Sequence, residues 1–272
     1  MSPRSPTHGE CKLCYATGEL RDSHFIPKAA YKIIKESEGE SPVVVNAEVS
    51  LQSDSQMKDY VLCPQCEERF NKNGESWVMK YCSRNAEGFK LKELIDASKP
   101  LGGNGLKVYS AALIPEIDLD QITYFASSIV WRAAVHKWKL GKKRIEPIYL
   151  GPYREELRRY LLGETHFPKN AVVWVSVIPE EKLWNVFIPP YGEKVNQCKR
   201  YKFPFLGISI MVFLGNQIDS TFRDMCTLRS EKHFIYTGDP STEMIIRDFG
   251  RVVAKARPVG SLKNSLEDTC SE

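Results

Sequence analysis

Two C-x-x-C pairs, Cys11–Cys14 and Cys63–Cys66, constrain this chain more than anything else in it. Two thiolates on one tight turn can reach the same ion, and the spacing of both pairs is that of tetrahedral zinc ligands. Read together, the pairs make one closed four-sulfur site that ties off the 48 residues between Cys14 and Cys63. A metal closing a loop of that length contributes folding free energy that the thin local core could not supply alone. Cys82, Cys198, Cys226 and Cys270 follow no framework pattern and read as ordinary thiols of a reducing compartment. The amino terminus is polar, and no apolar run is long enough to cross a bilayer. The expectation is a cytoplasmic protein with no membrane partner.

Between the pairs, ELRDSHFI (19–26) alternates as a short strand would, which puts Asp22 and His24 on the same side. Pro27 suits the first position of a helix, and Ala29, Ala30, Ile33 and Ile34 follow at helical spacing, predicting helix over 28–36. VVVNAEVSL (43–51) reads as a strand, with Asn46 in its middle or on a bulge. Pro64 favours a helix start that carries Glu67, Glu68, Phe70 and Asn71. That helix continues through Trp77, Val78 and Tyr81 unless the NKNG segment interrupts it.

SKPLGGNG (98–105) has the composition of a hinge and divides the chain into a zinc-bound domain over 1–97, a linker over 98–105 and a second domain over 106–257. The second domain opens with the strongest helical pattern in the chain, over 118–143. Asp118 or Asp120 would cap its start, and Gly141 would end it with Lys137 and Lys139 in the last turn. PYREELRRYLLG (152–163) predicts a second helix. From residue 170 the runs AVVWVSVIP, LWNVFIPP, FPFLGISIMVFLG and EKHFIYTG are strand-like. The expected fold class is α+β, with two helices on a mainly antiparallel sheet and a disordered tail over 258–272.

At 42% hydrophobic and 26% charged residues, the composition is that of a folded globular protein, and the net charge of +4 says little about partners. Its distribution says more. Residues 1–100 carry 14 Lys+Arg against 15 Asp+Glu, whereas residues 131–159 carry 9 against 3. A local basic excess is what a polyanion needs. Lys137, Lys139, Lys142, Lys143, Arg144, Arg154 and Arg158 are the candidate nucleic-acid contacts there, and Lys28 is one beside His24.

C-x-x-C, then S-H-x-x-P, then an Asn on a following strand, then C-x-x-C at a helix start resembles the zinc-braced HNH endonucleases, also called His-Me finger or ββα-metal nucleases. The resemblance covers residues 11–75. It implies a treble-clef finger and metal-dependent hydrolysis of a phosphodiester, DNA more than RNA. It also implies roles: His24 as general base, Asn46 as the brace of the loop that holds it, and Glu67 as ligand of a catalytic Mg²⁺ or similar cation. Asp22 could offer that cation a second oxygen. Ser23 stands where the family commonly has Asp, and Glu67 where it has its last His. Such a layout suits a host-defence enzyme whose second domain recognises substrate, a protein partner or a second copy. The alternatives are a finger that binds nucleic acid without cutting it, and a protein-interaction or sensor module.

Overall fold

The computed structural model describes residues 7–38, 43–45, 49–52, 56–83, 88–102, 105–140, 143–181, 184, 187–228, 233–238, 247, 250 and 257–260. The first half runs β1 (Thr7–Glu10), β2 (Thr17–Leu20), β3 (Asp22–His24), α1 (Lys28–Glu38), β4 (Val43–Val45), β5 (Val49–Gln52), β6 (Lys58–Tyr60) and α2 (Pro64–Phe70). A π turn (Asn71–Glu75), α3 (Ser76–Tyr81) and α4 (Lys90–Asp96) follow. The second half runs β7 (Leu106–Ser110), α5 (Leu119–Val135), β8 (Lys139–Leu140), β9 (Lys143–Arg144), α6 (Tyr153–Leu161), β10 (Ala171–Val177), β11 (Tyr191–Val195) and β12 (Cys198–Phe205). It closes with β13 (Ile208–Leu214), α7 (Ser220–Asp224), β14 (Phe234–Gly238) and β15 (Arg257–Gly260).

The class is α+β. Six strands form the main sheet in the order β11-β12-β13-β10-β14-β7, antiparallel except for the β10–β14 pair. Both faces of its centre are covered, and strand periodicity sorts the side chains between them. Val173, Val175, Ile208, Ile210 and Val212 enter the main core. Val172, Met211 and Phe213 enter a second cluster, closed by Phe222 of α7 stacking on Phe213 with ring centroids 5.2 Å apart.

α5 is the axis of the molecule. Asp118 caps it by accepting the Gln121 N–H (3.0 Å), as expected. Every residue from Ile122 to Ala134 is buried, so the helix is not amphipathic but enclosed on all sides. Its hydroxyls are satisfied locally: Ser127 donates to the Thr123 carbonyl (2.7 Å) and Ser128 to that of Phe125 (2.8 Å). Phe125 meets Phe205 of the sheet (5.0 Å), Tyr124 meets Tyr160 of α6 (5.8 Å), and Trp131 meets Phe70 of α2 (6.0 Å).

The helix expected over 118–143 ends at Val135. The Trp138 indole donates to the Arg132 carbonyl (2.8 Å) and the Ile148 N–H to that of Ala133 (3.0 Å), which satisfies two of the last four carbonyls where the helix stops. Trp138 and Leu140 are buried, whereas Lys137 and Lys139 are exposed. That period of two belongs to a strand, and β8 pairs with β9 as a hairpin. Lys137 and Lys139 therefore lie beyond the helix, not in its last turn.

One cluster of buried residues includes Phe25, Phe70, Trp131 and Phe205, from both sides of residues 98–105. Near the chain end, Arg257–Gly260 form β15, parallel to β5.

Gly74, in the π turn, packs directly against the backbone of α5. A Cβ there would stand 2.9 Å from the Phe125 amide nitrogen and 3.2 Å from the Gln121 carbonyl oxygen. These are backbone atoms that cannot rotate away. Gly74→Ala is expected to force the two helices apart and to destabilise the protein by roughly 1–3 kcal/mol. Urea unfolding of the two proteins measures this, and equal midpoints would refute the close approach.

Candidate metal centre and the adjoining cleft

Four sulfurs converge where the sequence placed them. Between β1 and β2 the chain turns tightly, with Tyr15 in the left-handed region (φ 62°) and its N–H donating to the Cys11 carbonyl (2.9 Å). Cys63 stands in extended geometry just before Pro64 opens α2, and the N–H groups of Cys66 and Glu67 both donate to its carbonyl (3.1 Å each). A tight turn and a helix start thus each present two thiols. The four Sγ atoms lie within 4.8 Å of one another, and Cys14 Sγ is 3.8 Å from Cys63 Sγ. Tetrahedral zinc at about 2.3 Å from each sulfur requires sulfurs about 3.8 Å apart, so the set fits the ion.

Hydrogen bonding from Cys66 pulls the Cys11 thiol down to about 4, and the same contact with burial pushes Cys66 up. Burial raises Cys14 as well. Four thiolates at this spacing repel unless a cation sits among them, which is the chemistry of a metal centre. α6 braces the turn from outside: Arg158 donates to the Leu13 carbonyl (2.7 Å) and lies over the Tyr15 ring (4.5 Å).

Beside this centre is a cleft of about 510 Å³ lined by His24, Lys28, Glu67, Glu68, Asn71 and Glu75, with Ile26, Pro27, Ala29, Ser76 and Met79. β3 and the start of α1 make one wall, and α2, the π turn and α3 make the other. A four-residue spacing drifts around a helix of 3.6 residues per turn. Here the Ser76 N–H donates to the Asn71 carbonyl, a wider π step that counters the drift and brings Glu67, Asn71 and Glu75 to one wall.

His24 is half-buried at the end of β3, and its Nε2–H donates to Gln56 Oε1 (2.8 Å). That bond leaves Nδ1 as the acceptor of a neutral ring. Burial lowers the imidazole below its usual range, against the pull of Gln56 and Asp22, so the ring is neutral at physiological pH. Ser23, fully buried, accepts the Leu62 N–H through its hydroxyl (3.1 Å) and thereby ties β3 to the second cysteine pair. Glu67 Oε1 is buried with no hydrogen-bond partner. Burial raises the Glu67 carboxyl, while Arg132 and Ser23 act in the opposite direction.

The other expected site residues are less concentrated. Asp22 is paired with Lys58 across the β3–β6 ladder and does not line the cleft. Asn46 and Lys142 lie outside the described residues, as does the side chain of Lys143. Lys137 pairs with Glu146 and Lys139 with Asp59, both at 2.8 Å, and Arg158 pairs with Glu155 at 2.7 Å. Lys28, Arg144 and Arg154 are exposed. Among the described residues, the four cysteines are the only set of three or more Cys, His, Asp or Glu whose ligand atoms come this close together. The sequence reading missed Gln56, Asn71 and Glu75, and no motif marks them.

Asp59 locks β6 to the segment after α5, accepting from Lys139 (2.8 Å) and from His136 Nε2 (3.0 Å). Desolvation pushes its carboxyl up, but the bonds from Lys139 and His136 outweigh it and the net shift is downward. A depressed folded value means stability that is present above the unfolded pKa of about 3.9 and is lost as pH falls through the folded value. Asp59→Asn is therefore expected to lower stability by about 1–3 kcal/mol at pH 6, and the gap to wild type should close as pH falls below about 4. Urea midpoints of both proteins across pH 3–6 test this, and a gap independent of pH would contradict it.

Comparison of the chain with family models, with curated proteins and with solved structures returns no match in any of the three. No helix among the described residues is long and apolar enough to cross a membrane.

Proposed function

We propose that this chain is a metal-dependent endonuclease of the HNH type, a zinc-braced treble clef whose remaining chain recognises substrate or regulates cutting. DNA is the expected substrate. One observation carries this reading: an imidazole with a free acceptor nitrogen and a carboxylate with an unpartnered buried oxygen face one cleft beside the four-cysteine centre. In this reading His24 Nδ1 takes the proton of the attacking water, and Gln56 fixes the ring so that this nitrogen points outward. Lys28, at the rim, meets a phosphate oxygen, while Arg144 and Arg154 hold the polyanion elsewhere.

Among the described residues, the cleft has no preassembled cage for a divalent cation. Mg²⁺ needs none, because it is commonly held by one or two carboxylates together with substrate phosphate. Glu67, with its orphan oxygen, fits as the protein ligand. Such a cation, when bound, neutralises charge on the scissile phosphate and its leaving oxygen. The test is cleavage of supercoiled DNA, linear DNA and RNA by the zinc-loaded protein with Mg²⁺ or Mn²⁺. Cleavage that requires the added cation supports the proposal, and inertness toward all three substrates refutes it.

A second reading, a finger that binds without cutting, draws on the Asp22–Lys58 pair, which occupies a carboxylate an active site could have used. It predicts salt-sensitive DNA binding that is the same in wild type and His24→Ala. Absence of any nucleic-acid affinity at low salt would leave a protein-interaction or sensor module.

A further inference from the structure

Among the described residues, Arg132 is the most deeply buried charged side chain. Its side chain is 1% exposed, deep in the interior, and it rises from the central helix α5. Three of its side-chain contacts reach the first half of the chain. Nη1 donates to the Phe25 carbonyl (3.1 Å), Nη2 pairs with Glu75 Oε1 (2.5 Å), and the guanidinium lies over the Phe70 ring (4.5 Å). Phe25 directly follows His24, and Ile26 and Pro27 after it line the cleft. Glu75 lines the opposite wall. One rigid, planar fork therefore grips both walls at once.

A buried ion pair is a poor device for stability alone, because desolvation of the two charges offsets most of their attraction. What it does provide is geometry. A guanidinium offers fixed donor directions that a lysine ammonium lacks. Resting on the nuclease reading above, we propose that Arg132 is the positioning residue of the cleft. By holding the Phe25 carbonyl and the Glu75 carboxylate together, it sets the separation between the His24 imidazole and the Glu67 wall. It touches neither substrate nor cation.

The test uses full-length, zinc-loaded protein with Arg132→Lys and Arg132→Met. Arg132→Lys keeps the charge and most of the stem, and so guards against a variant that fails to fold. The first readout is steady-state cleavage with Mg²⁺. Displacing a reacting group by about 1 Å lowers turnover by about 100-fold. Arg132→Lys is therefore expected to lose about 100-fold in kcat, with KM for DNA within about threefold of wild type and zinc content unchanged. The second readout needs no activity: the side-chain ¹⁵N–¹H correlation of the His24 imidazole should show one fixed ring in wild type and a shifted or averaged ring in both variants. Unchanged His24 signals would overturn the proposal, as would a kcat loss no larger than the loss of folded protein. If wild type cuts nothing, the nuclease reading fails, and the imidazole signals still decide whether Arg132 positions His24.

Discussion

Replacing His24 with alanine should abolish cation-dependent cleavage, lowering kcat by about 100- to 10,000-fold, the span a general base typically contributes. Zinc content and melting temperature should stay near those of wild type. The ring is half-buried, bonds through one nitrogen to Gln56, and lies 6.3 Å from the Tyr31 ring, so its removal opens little of the core. Gln56→Ala should fall between the two proteins, since it frees the ring to rotate without removing the base. Parallel assays of nicking, zinc content and melting read the result. A His24→Ala protein that cuts as fast as wild type would remove His24 from the chemistry and turn attention to another base.

Loss of the metal should have the larger structural effect. One zinc per chain is expected on elemental analysis. Structural zinc binds finger peptides with an apparent free energy of about 10–16 kcal/mol, and in a site made of two distant turns that energy is folding energy. Cys14→Ser, or prolonged chelation, should lower Tm by more than about 10 °C. It should also loosen β1 to β3 and the start of α2, read as fast amide exchange at Cys11, Tyr15 and Cys66. The N–H groups of those residues are held only by the turn and the helix start around the sulfurs. Readdition of Zn²⁺ should restore the chelated wild type and not the serine variant. A metal-free protein that melts at the wild-type temperature would show that the four thiols are packing groups alone.

The four-cysteine cluster could be read from the sequence because its information is local: two C-x-x-C pairs fix the residue type and spacing without reference to the rest of the chain. The start of α2 was legible for the same reason, Pro64 following Cys63. The strand character of β10 and β13 was visible in apolar runs between Pro and Gly. The neighbours of His24 were not. Gln56 lies 32 residues from His24, and Arg132 lies 57 from Glu75, so their pairing exists only once the fold has closed. The end of α5 was misread for a related reason. Helical periodicity over 122–134 masks the stop at Val135, although Lys137, Trp138, Lys139 and Leu140 already alternate in steps of two. The burial of α5 on every side could not be foreseen, because Ser127 and Ser128 imitate a solvent face and instead bond to the helix behind them.

The helix that carries Arg132 also receives the sheet, so the same rod is wall to both halves of the molecule. Such an arrangement resists shuffling. A gene that inherited only the cysteine-rich third would bring Phe25 and Phe70 without the Trp138 and Trp131 rings that meet them. New specificities would then have to arise on the far rim of the sheet and in the surface turns, where sequence can drift while the socket stays filled.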